Sequence, residues 1–432
     1  MYSIVLMAAM LAVIAGMILT SRTSFPFMFA AVPAFFAIAA GVPLTDLAGS
    51  SLRGAVDISG TASLLFSLTW LILLASGEGF FDRLAFRLIQ SFSKRDILYK
   101  RVIPFVTAAL GILLGLTGSP AVVYTASIAC LLPVYRRNGL EDSDLTLLVA
   151  LAMGTSLAWP WSNKTLIIAA MANVPPVDLW MACLPMQCFG AGLLVAFCAA
   201  KMRKIPKTEL LRMGESPAQV GQQLPRARDA LLIVLLLFSM LMVVLKFKFS
   251  SFAIIACCLV VMAVDRLCGG GGPEGERWIA IKEAARPLIQ TIIIGSFIGI
   301  TQSIIVANPD LAGLISGFAR GDAVLAAWVI GALLSFLLVL VPYQIIYVII
   351  PALLVGAGAT VDPIALCVPF VLMYSSTVSP SVPSTTLFDS FLNAPPLSHL
   401  KKNAPIVCSV HFVVVAIGFT TISWANAGHP LL

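Results

Sequence analysis

Charge is what this sequence has least of. Lys, Arg, Asp and Glu make up 11% of its 432 residues, against 59% hydrophobic, a balance that excludes a water-soluble domain of this length and makes lipid the solvent. Histidine is scarce as well: His399, His411 and His429 have no metal-ligand spacing. The nine cysteines include no C-x-x-C pair and are scattered mostly through apolar segments, so neither a disulfide framework nor a metal site is expected. No Walker, G-x-G-x-x-G or Ser/His/Asp arrangement stands in a credible setting, which disfavours an enzyme. Long polar stretches are missing too, leaving no room for a separate soluble domain, and no cofactor or nucleic-acid partner is expected.

What the chain does have is apolar runs of about the length needed to cross ~30 Å of hydrocarbon. Crossings are expected near 3–19, 25–43, 61–76, 145–172, 179–200, 229–245, 250–264, 287–306, 363–392 and 405–425. The first run has no basic residues before it and no cleavage pattern after it, and reads as a retained span. Two further stretches, 102–135 and 323–358, are too long for one helix. Gly118-Ser119-Pro120 interrupts the first and Pro342 the second, the pattern of a re-entrant hairpin. Segments 80–92 and 309–320 before them read as interfacial helices, with an ordinary loop as the alternative.

A shift of 220 positions carries Gly111 to Gly331, Leu113 and Leu114 to Leu333 and Leu334, Asp142 to Asp362, Met153 to Met373, Ser156 to Ser376 and Pro160 to Pro380. The expected fold is therefore all-α and integral to the membrane, built from two repeats, 1–200 and 229–432, joined by a linker at 201–228. Each holds five crossings, an interfacial helix, a hairpin and a Pro-broken span. Five is odd, so the second repeat is inverted. All Lys and Arg except Arg53, Lys246, Lys248, Arg320 and Lys164 then fall in segments on one side. That side is cytoplasmic by the bias of basic residues: both termini lie outside, the linker inside, in the cell (inner) membrane.

Spans 145–172 and 363–392 are broken near their middles, at Trp159-Pro160-Trp161-Ser162-Asn163-Lys164-Thr165 and at 375–386 around Pro380 and Pro383. Proline frees backbone groups that lipid cannot satisfy, and the half-helix that restarts after each break points its positive end at the gap. An anion is the natural occupant, with the hydroxyls of Ser162, Ser379, Ser381, Ser384 and Thr385 as neutral donors. The ordinary alternative is a proline kink satisfied by neighbouring Ser and Thr. Lys164, costly at the bilayer centre, would strengthen attraction for a carboxylate. A second hypothesis is that it replaces a coupling cation; the ordinary alternative is a lysine that snorkels to the interface. Every acidic residue but Asp389 lies at a span end or in a connection, so no carboxylate cluster is placed to hold a metal ion. Asp389 is a proton-carrier candidate or a solvated helix end. A proton is the expected coupling ion ahead of Na⁺, which freed carbonyls could still bind.

The run Tyr124–Leu140 (YTASIACLLPVYRRNGL), the break Pro160-Trp161 with Thr165, and VSPSVP at 378–383 leading to His399 resemble the CitMHS family of citrate and metal-citrate:proton symporters, within the ion transporter superfamily. The resemblance implies an elevator-type secondary carrier of a small carboxylate, a di- or tricarboxylate such as citrate, on a scaffold that often forms a homodimer. It places substrate at Thr117, Gly118 and Ser119 of the first hairpin tip, Ser162, Asn163, Lys164 and Thr165 of the first break, Pro342, Tyr343 and Gln344 of the second tip, and Ser379–Thr385 of the second break. A gluconate or hydroxy-acid permease of the same superfamily, and a non-coupled channel or membrane subunit, are the alternatives.

Overall fold

In the computed structural model of the chain, residues 2–20, 27–77, 100–115, 120–156, 158–205, 226–245, 249–267, 274–338 and 361–377 are described, with positions 354, 413 and 417. The segment 80–92, both hairpin tips, the break around Pro380, Asp389, the rest of the 405–425 span and most of the 201–228 linker lie outside the described residues. Among those described, regular structure is helical throughout.

The chain opens with α1 (Tyr2–Thr20), a π-helical turn (Phe27–Ala31) and α2 (Val32–Ala39). Pro33 comes just after the π-helical turn and gives no N–H to it, and Gly41 at φ +83° ends α2 in a conformation other side chains resist. Next comes α3 (Leu44–Gly77), then α4 (Ile103–Gly115) and α5 (Pro120–Arg137), the two arms of the expected first hairpin, packed on each other. α6 (Asp142–Ser156), α7 (Asn163–Met171) and α8 (Pro176–Lys204) complete the first half. The second contains α9 (Arg226–Val244), α10 (Ser250–Leu267), α11 (Glu274–Ala307), α12 (Pro309–Leu338) and α13 (Pro363–Thr377).

Three helical stretches, Leu44–Ala75, Pro176–Lys204 and Trp278–Ala307, are long and apolar enough to cross a membrane. Shorter apolar helices accompany them, and the chain is an all-helical, multi-pass membrane protein.

Three expected boundaries are corrected. The span at 61–76 is the end of a helix that starts at Leu44, and the span at 287–306 is the end of one that starts at Glu274. Both helices have 34 residues, about 51 Å at 1.5 Å per residue. Their N-terminal halves carry charges on exposed faces, including Arg53 and Asp57 on α3 and Lys282, Glu283 and Arg286 on α11. Hydropathy marks those residues as unsuited to lipid, but nothing in them ends a helix that a neighbour supports along its length. The surface segment 309–320 is likewise no separate helix. It runs without a break into the first arm of the expected second hairpin as α12, because Gly321-Asp322 without proline costs a helix only about 1 kcal/mol.

α3 and α11 form the most extensive contact of the fold and run antiparallel. Gly54 faces the Gly295 carbonyl, and Gly299 faces that of Ser50. A Cβ added at Gly54, Gly295 or Gly299 would fall within 3.0 Å of the opposing backbone, closer than real Cβ atoms approach. Small residues spaced by four thus allow backbone-to-backbone packing, the means of association left to helices in lipid, where burial from water supplies no force. α2, α9 and α10 gather around this pair. Phe29 of the π-turn meets Phe297 of α11 edge to face, ring centroids 5.3 Å apart.

α4, α5, α6 and α8 form a second group. Gly111 and Gly115 of α4 lie against Ala152 and Ser156 of α6, again with no room for a Cβ. The second half has the matching contact, α12 on α13. Polar bonds tie this group together at one end. Thr107 donates to the Ile103 carbonyl and so accepts from the Tyr135 hydroxyl at 2.9 Å, linking the hairpin arms. Arg136 pairs with Asp142 at 3.0 Å, Lys201 of α8 with Asp144 of α6, and Arg101 Nε donates to the Ile205 carbonyl at 2.7 Å.

Candidate functional site

The break expected in the first long span is present: α6 ends at Ser156 and α7 begins at Asn163. The cause is Pro160, which has no N–H to give the carbonyl of Ser156 four residues earlier. Trp159 N–H turns to that carbonyl instead, at 3.2 Å. The carbonyl of Thr155 thereby loses the donor it would have in a continuous helix. Gln187, about three turns into α8, supplies a replacement, Nε2 to O at 2.6 Å. At the far side of the gap, Ser162 N–H donates to the Trp159 carbonyl at 2.9 Å.

Ser162 is the N-cap of α7. Its backbone is extended, and its Oγ accepts from the N–H of Thr165 at 3.3 Å. The same hydroxyl donates to Thr165 Oγ1 at 3.0 Å, and both side chains are buried. Of the four residues expected here, Ser162 and Thr165 thus face each other and shape the helix start. Asn163 and Lys164 form the first turn, where backbone N–H groups and the positive end of the helix dipole are presented. Lys164 is half-buried.

What surrounds that turn comes from both halves of the chain. α7 packs against α3 and α8 of the first half and α11 and α13 of the second. α13 also contacts α6 and α8, and ends at Thr377. Thr117, Gly118 and Ser119 stand between the ends of α4 and α5 in sequence, but like Pro342, Tyr343, Gln344, Ser379, Ser381, Ser384, Thr385 and Asp389 they are outside the described residues. Among the described residues no group of three or more His, Cys, Asp or Glu could hold a metal ion.

Sequence reasoning missed the aromatic wall of the break. Trp159 stacks on Trp161, ring centroids 5.0 Å apart and planes 22° apart, and on Trp180 of α8, at 5.6 Å and 21°. Trp180 Nε1 donates to Gln187 Oε1 at 2.9 Å. The available signal was a lone amide in an apolar 29-residue helix, seven positions from a tryptophan and so on the same face.

The described residues thus define a membrane protein with a capped, proline-broken helix inside its bundle. No family model matches the chain. It is similar to the citrate transporter of Bacillus subtilis (strain 168), 27% identical over 228 residues that cover 51% of this chain and 51% of that protein. The chain therefore spans about half the length of this curated relative.

Proposed function

We propose that the protein is a secondary active transporter of a small organic anion, a di- or tricarboxylate such as citrate. The observation that carries this reading is Lys164 on the first turn of α7. An ammonium and the positive end of a helix stand together at a break enclosed by helices from both halves. A carboxylate there would meet a cation and oriented N–H groups while losing little to desolvation that they do not offset. Similarity to a citrate transporter supports the same substrate class.

Inverted repeats fit the matched contacts, α4 on α6 in one half and α12 on α13 in the other, which the 220-residue shift relates. Two groupings, one around α3 and α11 and one around the broken helix, suit an elevator-type motion of the second against the first. Proton coupling, a homodimer and a cell-membrane orientation with both termini outside complete the proposal. The first hairpin tip, the second tip and the break around Pro380 would supply the remaining contacts.

Uptake of radiolabelled citrate by proteoliposomes, repeated with succinate and gluconate, tests it. Wild-type protein is expected to accumulate a di- or tricarboxylate under a proton gradient, and Lys164→Ala to abolish uptake, while Lys164→Arg retains part of it. Undiminished transport by the alanine variant would remove Lys164 from the site. Cysteines introduced at 118 and 343 should react from opposite sides in a substrate-dependent manner; reaction of both from either side would indicate a channel.

A further inference from the structure

Beyond the anion-facing residues, the first break contains a support built from residue types that the corresponding positions of the second repeat do not share. Trp180 and Gln187 lie on one face of α8, aimed at the end of α6. Indole Nε1–H can only donate and the Thr155 carbonyl can only accept, so the two bonds fix the amide of Gln187 in a single orientation, oxygen to Trp180 and nitrogen to Thr155. Stacking of Trp180 on Trp159, and of Trp159 on Trp161, holds the peptide just beyond the carbonyl that Gln187 takes up. Trp159 in turn donates to Ser156 and accepts from Ser162, the cap of α7. A continuous chain of contacts therefore runs from Trp180 and Gln187 through the break to the first turn of α7. Under the 220-residue shift, Trp180, Gln187, Trp159 and Trp161 become Leu400, Val407, Ser379 and Ser381, none of which could reproduce it.

We infer that Gln187, aimed by Trp180, is a positioning residue that holds the first break open and fixes the start of α7, and with it Lys164, for the anion. The inference about the anion rests on the proposed function; the inference about the break does not. Without the amide, the Thr155 carbonyl would compete for a donor from the break, and the N–H of Trp159 is the one a continuous helix would give it. Recapture would take Trp159 N–H from Ser156 and shift the cap.

Gln187→Met keeps the volume and removes both bonds, and Trp180→Phe keeps an aromatic face while removing the donor. Hydrogen–deuterium exchange of peptides covering 157–166 is the substrate-independent measurement. Faster exchange confined to that segment is expected in Gln187→Met, with a smaller rise in Trp180→Phe. An unchanged rate, or a rise spread over the whole chain, would overturn the positioning role. Citrate affinity, read from quenching of tryptophan fluorescence, is expected to fall about tenfold in Gln187→Met, a loss of about 1.4 kcal/mol, alongside the lower melting temperature that two unpaired groups entail. The double variant should be no weaker than Gln187→Met alone, since Trp180 acts through the amide. A lowered melting temperature with unaltered affinity would make Gln187 an ordinary packing residue. If wild-type protein binds no carboxylate, the transport reading fails, while the exchange measurement still decides the role of Gln187. Should Gln187→Met fail to fold, Trp180→Phe carries both measurements.

Discussion

The α3/α11 pair and the group around the broken helix solve the same problem, helix association in lipid, by different means. Both bring backbones close through glycine: Gly54, Gly295 and Gly299 in the pair, Gly111 and Gly115 in the group. In the pair the opposing atoms are mostly backbone, with the Ile58 side chain beside Gly295, so the contact is made between two continuous helices. In the group the glycines meet the side chains of Ala152 and Ser156, and polar bonds are added along its height: Tyr135 to Thr107 and Lys201 to Asp144 near one end, Gln187 to Thr155 at the break. A helix interrupted inside a bundle exposes main-chain groups that must be satisfied from within the protein. The broken helix thus carries a cross-bond at its interruption, Gln187 to Thr155, whereas the pair is joined at its glycines by close backbone approach.

Breaking the pair should have the largest effect. Leucine at Gly295 would drive a side chain into the Gly54 backbone, which cannot rotate away, and is expected to cost about 3 kcal/mol or more. Loss of the monodisperse peak on size-exclusion chromatography in detergent would register it; normal melting would show that the two helices separate without penalty. The polar bonds of the second group should matter one at a time and by less. Thr107→Val leaves the buried Tyr135 hydroxyl without its acceptor, for a loss of about 2 kcal/mol, whereas Thr107→Val with Tyr135→Phe should recover most of it. Thermal melting of the four proteins in the cycle measures this, and additive losses would mean that the hydroxyls do not interact. The smallest effect belongs to Lys201→Met. Its partner Asp144 keeps a side-chain exposure of 24%, so the pair is worth about 1 kcal/mol or less and should weaken with salt. A salt-independent loss larger than that of Thr107→Val would reverse the ranking.

Much of the site's local geometry could be read from residues alone. Pro160 removes a specific donor, so a break before α7 follows from chemistry that no packing can restore. Gly118-Ser119-Pro120 likewise falls in sequence where α4 has ended, at Gly115, and α5 begins, at Pro120. The positions of helix ends were harder to read in α3 and α11, because hydropathy reports which residues lipid would tolerate, whereas a helix ends where its terminal groups are capped or its neighbour stops. Ser162 is read from sequence as a donor to the anion; the fold adds that its hydroxyl caps α7, through an approach of Thr165 that the residue type alone does not reveal.

Sequence by itself determined the solvent, the helical class and the place where the first long span is interrupted, since each depends on the chemistry of single residues or their local spacing. Tertiary structure alone decided which distant groups satisfy the interruption. That Gln187 meets Thr155, and that Lys164 starts a helix enclosed by both halves, depends on contacts between segments far apart in the chain, and no local rule of spacing specifies them.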